Sequence, residues 1–96
     1  MKIKTIDIQA KEWFDKINGN SYFSAEIIIN YGMKTTKSFI IPFTYGYGEY
    51  YIQATGQLLE KEKVIKLEGK QLWQYCDVNN IILRTNKTCG CKKRDL

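Results

Sequence analysis

The alternation of apolar and polar residues predicts a long β-hairpin in the first third of the chain. The alternation surrounds Asn18-Gly19, and both residues tolerate the positive φ that a two-residue type I′ turn requires. Such a turn would pair residues 6–16 with 21–31 and would set Phe14 opposite Phe23 on one apolar face. The predicted members of this face are Ile6, Ile8, Ala10, Phe14, Phe23, Ile27, Ile29 and Tyr31. A slip of one residue would invert the two faces, so the pattern predicts which side chains enter the core.

The second face of the hairpin is predicted to be mostly polar, apart from Trp13, Tyr22 and Ile28. Trp13 and Tyr22 would be diagonal neighbours across the two strands, close enough for their rings to touch. Exposed apolar clusters often mark partner sites, so these two residues are candidates for partner binding. The alternative is that the final strand or the C-terminal tail covers them.

A third strand is predicted over residues 37–43, after a second chain reversal. Its alternation would place Phe39, Ile41 and Phe43 on one face. Pro42 has no N–H to donate to a ladder, which favours an edge position or the end of the strand. The first three strands therefore form a predicted antiparallel meander.

Helical spacing of apolar residues predicts a helix over 49–63 and a second, shorter helix over 70–77. The predicted inward residues of the second helix are Leu72, Trp73 and Cys76. A final short strand is predicted over 81–85. The fold class is therefore α+β, with an antiparallel β-meander (β-β-β) followed by two helices packed on one sheet face and the final strand.

The net charge of +5 is concentrated near the C-terminus. Residues 84–96 carry five basic side chains against Asp95, a net of +4, which leaves +1 for the other 83 residues. We therefore divide the chain into one domain over 1–86 and a basic, flexible tail over 87–96. The candidate nucleic-acid contacts are Arg84, Lys87, Lys92, Lys93 and Arg94.

The sequence predicts no catalytic constellation, cofactor or metal site. It contains no histidine, so the commonest general base and every His-ligated metal site are excluded. Cys76, Cys89 and Cys91 supply three thiolates where a structural zinc site needs four ligands, and the alternative is a buried Cys76 with two exposed tail thiols. Glu12 falls on the apolar hairpin face, either as a buried acid or, in the alternative, at an edge or paired with a lysine.

Aromatic residues crowd the loop that leads into the first predicted helix. Phe43, Tyr45, Tyr47, Tyr50 and Tyr51 fall within nine positions, and two or three of them must pack on the core. The others are available for contact, because tyrosine is enriched at protein interfaces. Tyr45, Tyr47 and Tyr50 are therefore candidate partner-binding residues, and the alternative is that all five serve the core.

The expected compartment is the cytoplasm. No segment approaches the roughly 20 apolar residues of a membrane span. The first residues lack the apolar region of a signal peptide, and three cysteines fit a reducing environment better than a disulfide framework.

Three segments, KTIDIQAKEWFDKINGNSYFSAEI, IPFTYGYGEYY and CKKRDL, resemble short proteins of tailed phages and prophages. The resemblance covers most of the chain except about residues 57–70. It implies an accessory factor that binds a host or phage macromolecule, a class that includes anti-CRISPR inhibitors of host defence nucleases. It carries over no functional residues.

Three hypotheses follow. The first is a non-enzymatic binding protein that occludes a macromolecular target, such as a host defence nuclease. The second is a small basic nucleic-acid-binding protein, because the β-β-β-α order is similar to the double-stranded-RNA-binding fold without its first helix. An enzyme or small-ligand binder that uses the Gly46-x-Gly48 loop is the third.

Overall fold

The computed structural model describes residues 2–96 and has the predicted element order β-β-β-α-α-β. The elements are β1 (Thr5–Asp15), β2 (Asn20–Ile29), β3 (Lys37–Tyr45), α1 (Tyr50–Lys61), α2 (Leu72–Val78), β4 (Ile82–Thr88) and a 3₁₀ turn (Lys93–Asp95). The α+β fold class is confirmed, and both helices pack on the apolar face of the sheet. Among the described residues, no helix is long and apolar enough to cross a membrane.

The sheet is mixed and has the strand order β3-β2-β1-β4. β1, β2 and β3 form the predicted antiparallel meander, and β4 pairs with β1 in parallel, a direction that the sequence pattern did not specify. The chain leaves β3 at one edge, crosses the apolar face through α1 and α2, and returns at the other edge. Because the chain crosses over in this way, β4 runs in the same direction as β3. β3 in turn runs in the same direction as β1, so β4 is parallel to β1.

The hairpin register differs from the prediction by two residues. Phe14 pairs with Ser21 rather than Phe23, and residues 16–19 form a four-residue loop in place of the two-residue turn. The carboxylate of Asp15 accepts hydrogen bonds from the backbone N–H of Ile17 (3.0 Å) and from Nδ2 of Asn18 (2.8 Å), which closes the loop earlier. Because the shift is even, every side chain stays on its predicted face.

The core lies between the apolar hairpin face and the helices. Its hairpin members are Ile6, Ile8, Ala10, Phe23, Ala25, Ile27 and Ile29. Phe14 and Tyr31, at the two ends of the predicted apolar face, are exposed instead. Leu72 and Cys76 of α2 are buried as predicted, but the indole of Trp73 is 58% exposed. Adjacent helical positions are about 100° apart, so Trp73 turns away from the face that Leu72 presents to the core.

A β-bulge in β3 changes the face of Phe43. Ala25 pairs with Ile41 whereas Phe23 pairs with Thr44, so β3 contains one extra residue between these two pairs. Pro42 lies within the bulge, where its missing N–H removes no ladder bond. β3 is an edge strand, as Pro42 indicated. The prediction that Phe43 shares a face with Phe39 and Ile41 is wrong, because the extra residue reverses the alternation.

Asn30 joins the start of β1 to the loop after β2, a role that the sequence pattern did not indicate. Its side chain is fully buried, and its φ of 54° lies in the left-handed region. Oδ1 accepts hydrogen bonds from the backbone N–H of Lys4 (2.7 Å) and Thr5 (3.3 Å). Nδ2 donates to the carbonyl of Lys2 and to Oγ1 of Thr35, each at 3.0 Å. Asparagine tolerates this backbone conformation better than most residues do.

Candidate binding surfaces

Exposed tyrosines border a groove between the β3–α1 loop, the two helices and β4. Tyr45, Tyr47 and Tyr50 are 56%, 71% and 38% exposed, so the structure leaves all three candidates available for contact. The groove has a volume of about 720 Å³. Its aromatic lining residues are Tyr45, Tyr47, Tyr50 and Trp73, and these four define what we call the tyrosine groove.

The loop that forms one wall of the tyrosine groove is held from both sides. Gly46 donates its backbone N–H to the carbonyl of Ser21 (3.0 Å), and Nζ of Lys87 donates to the carbonyl of Gly48 (2.9 Å). A Cβ on Gly46 would lie 2.5 Å from Cδ2 of Tyr50 and 2.9 Å from Cε1 of Phe23. Residue 46 therefore has to be glycine for the loop to approach the sheet this closely.

The aromatic residues of this loop divide between the core and the surface. Tyr51 is buried, whereas Tyr50 packs edge-to-face on Phe23 with 6.0 Å between ring centroids and leaves its other side to the groove. Tyr47 is the most exposed of the group. The five aromatic residues therefore do not all pack in the core, as the alternative had them, because Tyr45 and Tyr47 are more than half exposed.

The sheet face that is turned away from the helices carries four aromatic rings in contact, which we call the outer aromatic cluster. Trp13 and Tyr22 lie directly opposite each other in the hairpin and stack with centroids 5.6 Å apart. Phe43 stacks on Tyr22 at 4.8 Å, and Tyr45 meets the Tyr22 ring edge-on at 5.7 Å. The contact between Trp13 and Tyr22 was expected from the alternation. The contribution of Phe43 was missed because it depends on the bulge.

The residues after β4 return along β1 toward this cluster. β4 ends at Thr88, so the predicted start of the tail at residue 87 falls inside the strand. The backbone N–H of Cys91 donates to the carbonyl of Glu12 (3.1 Å). Nζ of Lys93 then lies over the rings of Trp13 (5.8 Å to the centroid) and Phe43 (5.9 Å). The tail thus partly covers the outer aromatic cluster, which was the alternative to a fully exposed partner site at Trp13 and Tyr22.

The five candidate nucleic-acid contacts do not form one basic surface. Arg84 makes a two-point ion pair with Asp7, with Nε 2.6 Å from Oδ1 and Nη2 3.0 Å from Oδ2. Lys87 is 3.4 Å from Oε1 of Glu12, so Glu12 is the lysine-paired carboxylate of the second alternative. Within residues 2–96, the tail cations Lys92, Lys93 and Arg94 take part in no salt bridge.

The pKa values of Asp15 and Cys76 are shifted in opposite directions. Hydrogen bonds from Asn18, first through its side chain, hold the pKa of the Asp15 carboxyl below 3.8, and the charge of Lys93 adds to this effect. Burial raises the pKa of the Cys76 thiol to about 11, which makes this thiol unreactive near neutral pH. In the described part of the chain, no three His, Cys, Asp or Glu side chains are grouped so as to hold a metal ion.

The chemistry available on these surfaces is therefore that of contact: exposed aromatic rings, unpaired cations and a groove. No protein-family model, curated protein or solved structure was found to match this chain. The tyrosine groove and the outer aromatic cluster are therefore the surfaces from which a function can be inferred.

Proposed function

We propose that this chain is a non-enzymatic accessory protein of a phage or mobile element that acts in the host cytoplasm. It binds and occludes a macromolecular target, and a host defence nuclease is the class of target that the phage resemblance implies. The observation that carries the proposal is the tyrosine groove, in which three exposed tyrosines and an exposed tryptophan converge.

Aromatic side chains of this kind are suited to holding a protein partner. Tyrosine and tryptophan bury a large area at a small cost in side-chain entropy, and each carries a polar group for a hydrogen bond. Hot spots of protein interfaces are enriched in both residues and lie in pockets that exclude water. The wall of the groove is held by Gly46 and Lys87, so little ordering is needed on binding.

The experiment is affinity capture from host lysate followed by measurement of the dissociation constant with the purified target. Substitution of Tyr45 and Tyr47 to Ala should abolish capture while the unfolding temperature changes little, because both rings are more than half exposed. Tyr31→Ala is the matched control, since Tyr31 is 66% exposed but belongs to neither aromatic surface. Equal capture by the double variant and the wild type would refute the assignment of the groove.

A second assay tests occlusion of a nuclease. Titration of the chain into the purified target should reduce DNA cleavage to background near one equivalent, and the double variant should leave cleavage unchanged. A target that retains full cleavage when saturated with the chain would contradict occlusion, even if the contact itself is correct.

A further inference from the structure

The outer aromatic cluster combines stacked rings with unpaired cations, and this combination has a specific ligand chemistry. Proteins that bind single-stranded nucleic acid stack bases on aromatic side chains and bind the backbone with lysine and arginine. In several such proteins the rings project from the open face of a β-sheet. Trp13, Tyr22 and Phe43 project from the sheet face that is turned away from the helices, where the tail covers them only in part and places Lys93 beside them.

Both cations and carboxylates surround the cluster, and a lysine lies nearest to its rings. Lys11 is exposed on the same face of β1 as Trp13, two residues away, and the tail adds Lys92, Lys93 and Arg94. Three carboxylates lie nearby: Asp15 is hydrogen-bonded to Asn18, Asp95 accepts the backbone N–H of Lys92 at 3.0 Å, and Glu26 lines the adjacent groove together with Asp95. Lys93 is the cation that the structure places directly over the rings, so it is the group nearest to the phosphate of a nucleotide whose base stacks there.

A second groove extends this surface along the sheet. It has a volume of about 540 Å³ and lies beside Phe43 and Lys11, with Ile40 exposed at its margin. Its polar lining includes the side chains of Gln9, Ser24, Asn86 and Thr88, together with the carboxylates of Glu26 and Asp95. Hydroxyl and amide groups of this kind can bond the ribose 2′-OH, which is both donor and acceptor and distinguishes RNA from DNA.

We propose that the outer sheet face is a binding platform for single-stranded RNA. Bases stack on the rings of Phe43 and Trp13, the polar groove follows the sugars, and the tail cations contact phosphates. Lys93, which lies over both rings in the free protein, moves its ammonium group to a phosphate when a base takes its place. This activity differs from target occlusion and uses the opposite side of the sheet from the helices, although Tyr45 belongs to both surfaces.

The test is fluorescence anisotropy with a labelled single-stranded RNA of about 12 nucleotides, within the usual footprint of such platforms. Parallel titrations use DNA of the same sequence and the RNA duplex. The single-stranded RNA should bind at low salt and more tightly than either competitor. No binding to RNA, or equal binding of single-stranded RNA, single-stranded DNA and duplex, would overturn the proposal.

Two pairs of variants separate stacking from general attraction. Phe43→Ala should weaken RNA binding by about tenfold or more, whereas Tyr31→Ala on a remote exposed tyrosine should not. Lys93→Glu should weaken binding much more than Lys34→Glu, which makes the same change in net charge at the far end of the sheet. Equal losses from the two charge reversals would refute the platform, because they would show attraction by net charge alone.

A spectroscopic measurement reports stacking directly. The chain has two tryptophans, so Trp73→Phe leaves Trp13 as the single indole. Saturation with the RNA should quench the fluorescence of Trp13 with the same midpoint as the anisotropy titration. Binding without any change at Trp13 would place the RNA elsewhere and overturn the assignment. The RNA titrations use no protein target, so their failure would leave target capture by the tyrosine groove to be judged independently.

Discussion

Asn30→Ala is expected to destabilise the fold strongly, because one buried side chain joins two segments that are far apart in sequence. The substitution removes four hydrogen bonds, to the backbone of Lys2, Lys4 and Thr5 and to Oγ1 of Thr35. A backbone donor left without a partner in a buried site costs about 1–3 kcal/mol. Alanine at a φ of 54° adds about 1 kcal/mol or more.

The expected loss is about 3 kcal/mol of unfolding free energy, a large part of the roughly 5–14 kcal/mol typical for a domain of this size. The corresponding fall in the unfolding temperature is about 12–24 °C. Circular dichroism during thermal and urea unfolding measures both quantities. Asn30→Gly separates the two causes, since glycine loses the hydrogen bonds but accepts the positive φ. Asn30→Asp retains an acceptor for the Lys4 and Thr5 N–H groups, but it replaces the two donations with a carboxylate oxygen that faces the carbonyl of Lys2.

The expected order of stability is wild type, then Asn30→Gly, then Asn30→Ala. A loss below about 1 kcal/mol for Asn30→Ala would refute the role of Asn30 in joining β1 to the loop. If the glycine and alanine variants were equally stable, only the contribution of the positive φ would be refuted, and the role of the hydrogen bonds would stand.

Three further predictions concern the loop, the hairpin turn and the thiols. Gly46→Ala should lower the unfolding free energy by about 1–3 kcal/mol, because its Cβ would overlap Tyr50 and Phe23. Urea unfolding measures this loss, and an unchanged unfolding free energy would contradict the prediction. The depressed pKa of Asp15 means that its carboxylate contributes stability above pH 3.8, and this contribution is lost as the pH falls through the lower folded-state pKa. Asp15→Asn should therefore destabilise the hairpin at neutral pH but not in strong acid, as the pH dependence of unfolding would reveal. With an aromatic disulfide reagent at pH 8, Cys89 and Cys91 should react in the folded protein and Cys76 only after unfolding, since Cys76 is buried with a pKa near 11; rapid reaction of a third thiol in the native state would contradict this.

The alternating pattern was sufficient to predict the element order and the two faces of the hairpin. Ile8, Ile27 and Ile29 are buried as expected, and Trp13 meets Tyr22 on the opposite face. These features depend on the period of a strand, which is a local property of the backbone. The faces were preserved even though the register was wrong, because a shift of two residues returns each side chain to the same side.

Tertiary interactions decided the features that the pattern did not contain. The direction of β4 follows from the passage of two helices across the sheet, and the place of Phe43 follows from one extra residue beside Pro42. Lys93 meets Trp13 across a separation of 80 residues, and Asn30 binds Lys2 across 28. Such contacts depend on where distant segments come to lie, so local alternation predicts which side chains face inward but not which partners they meet.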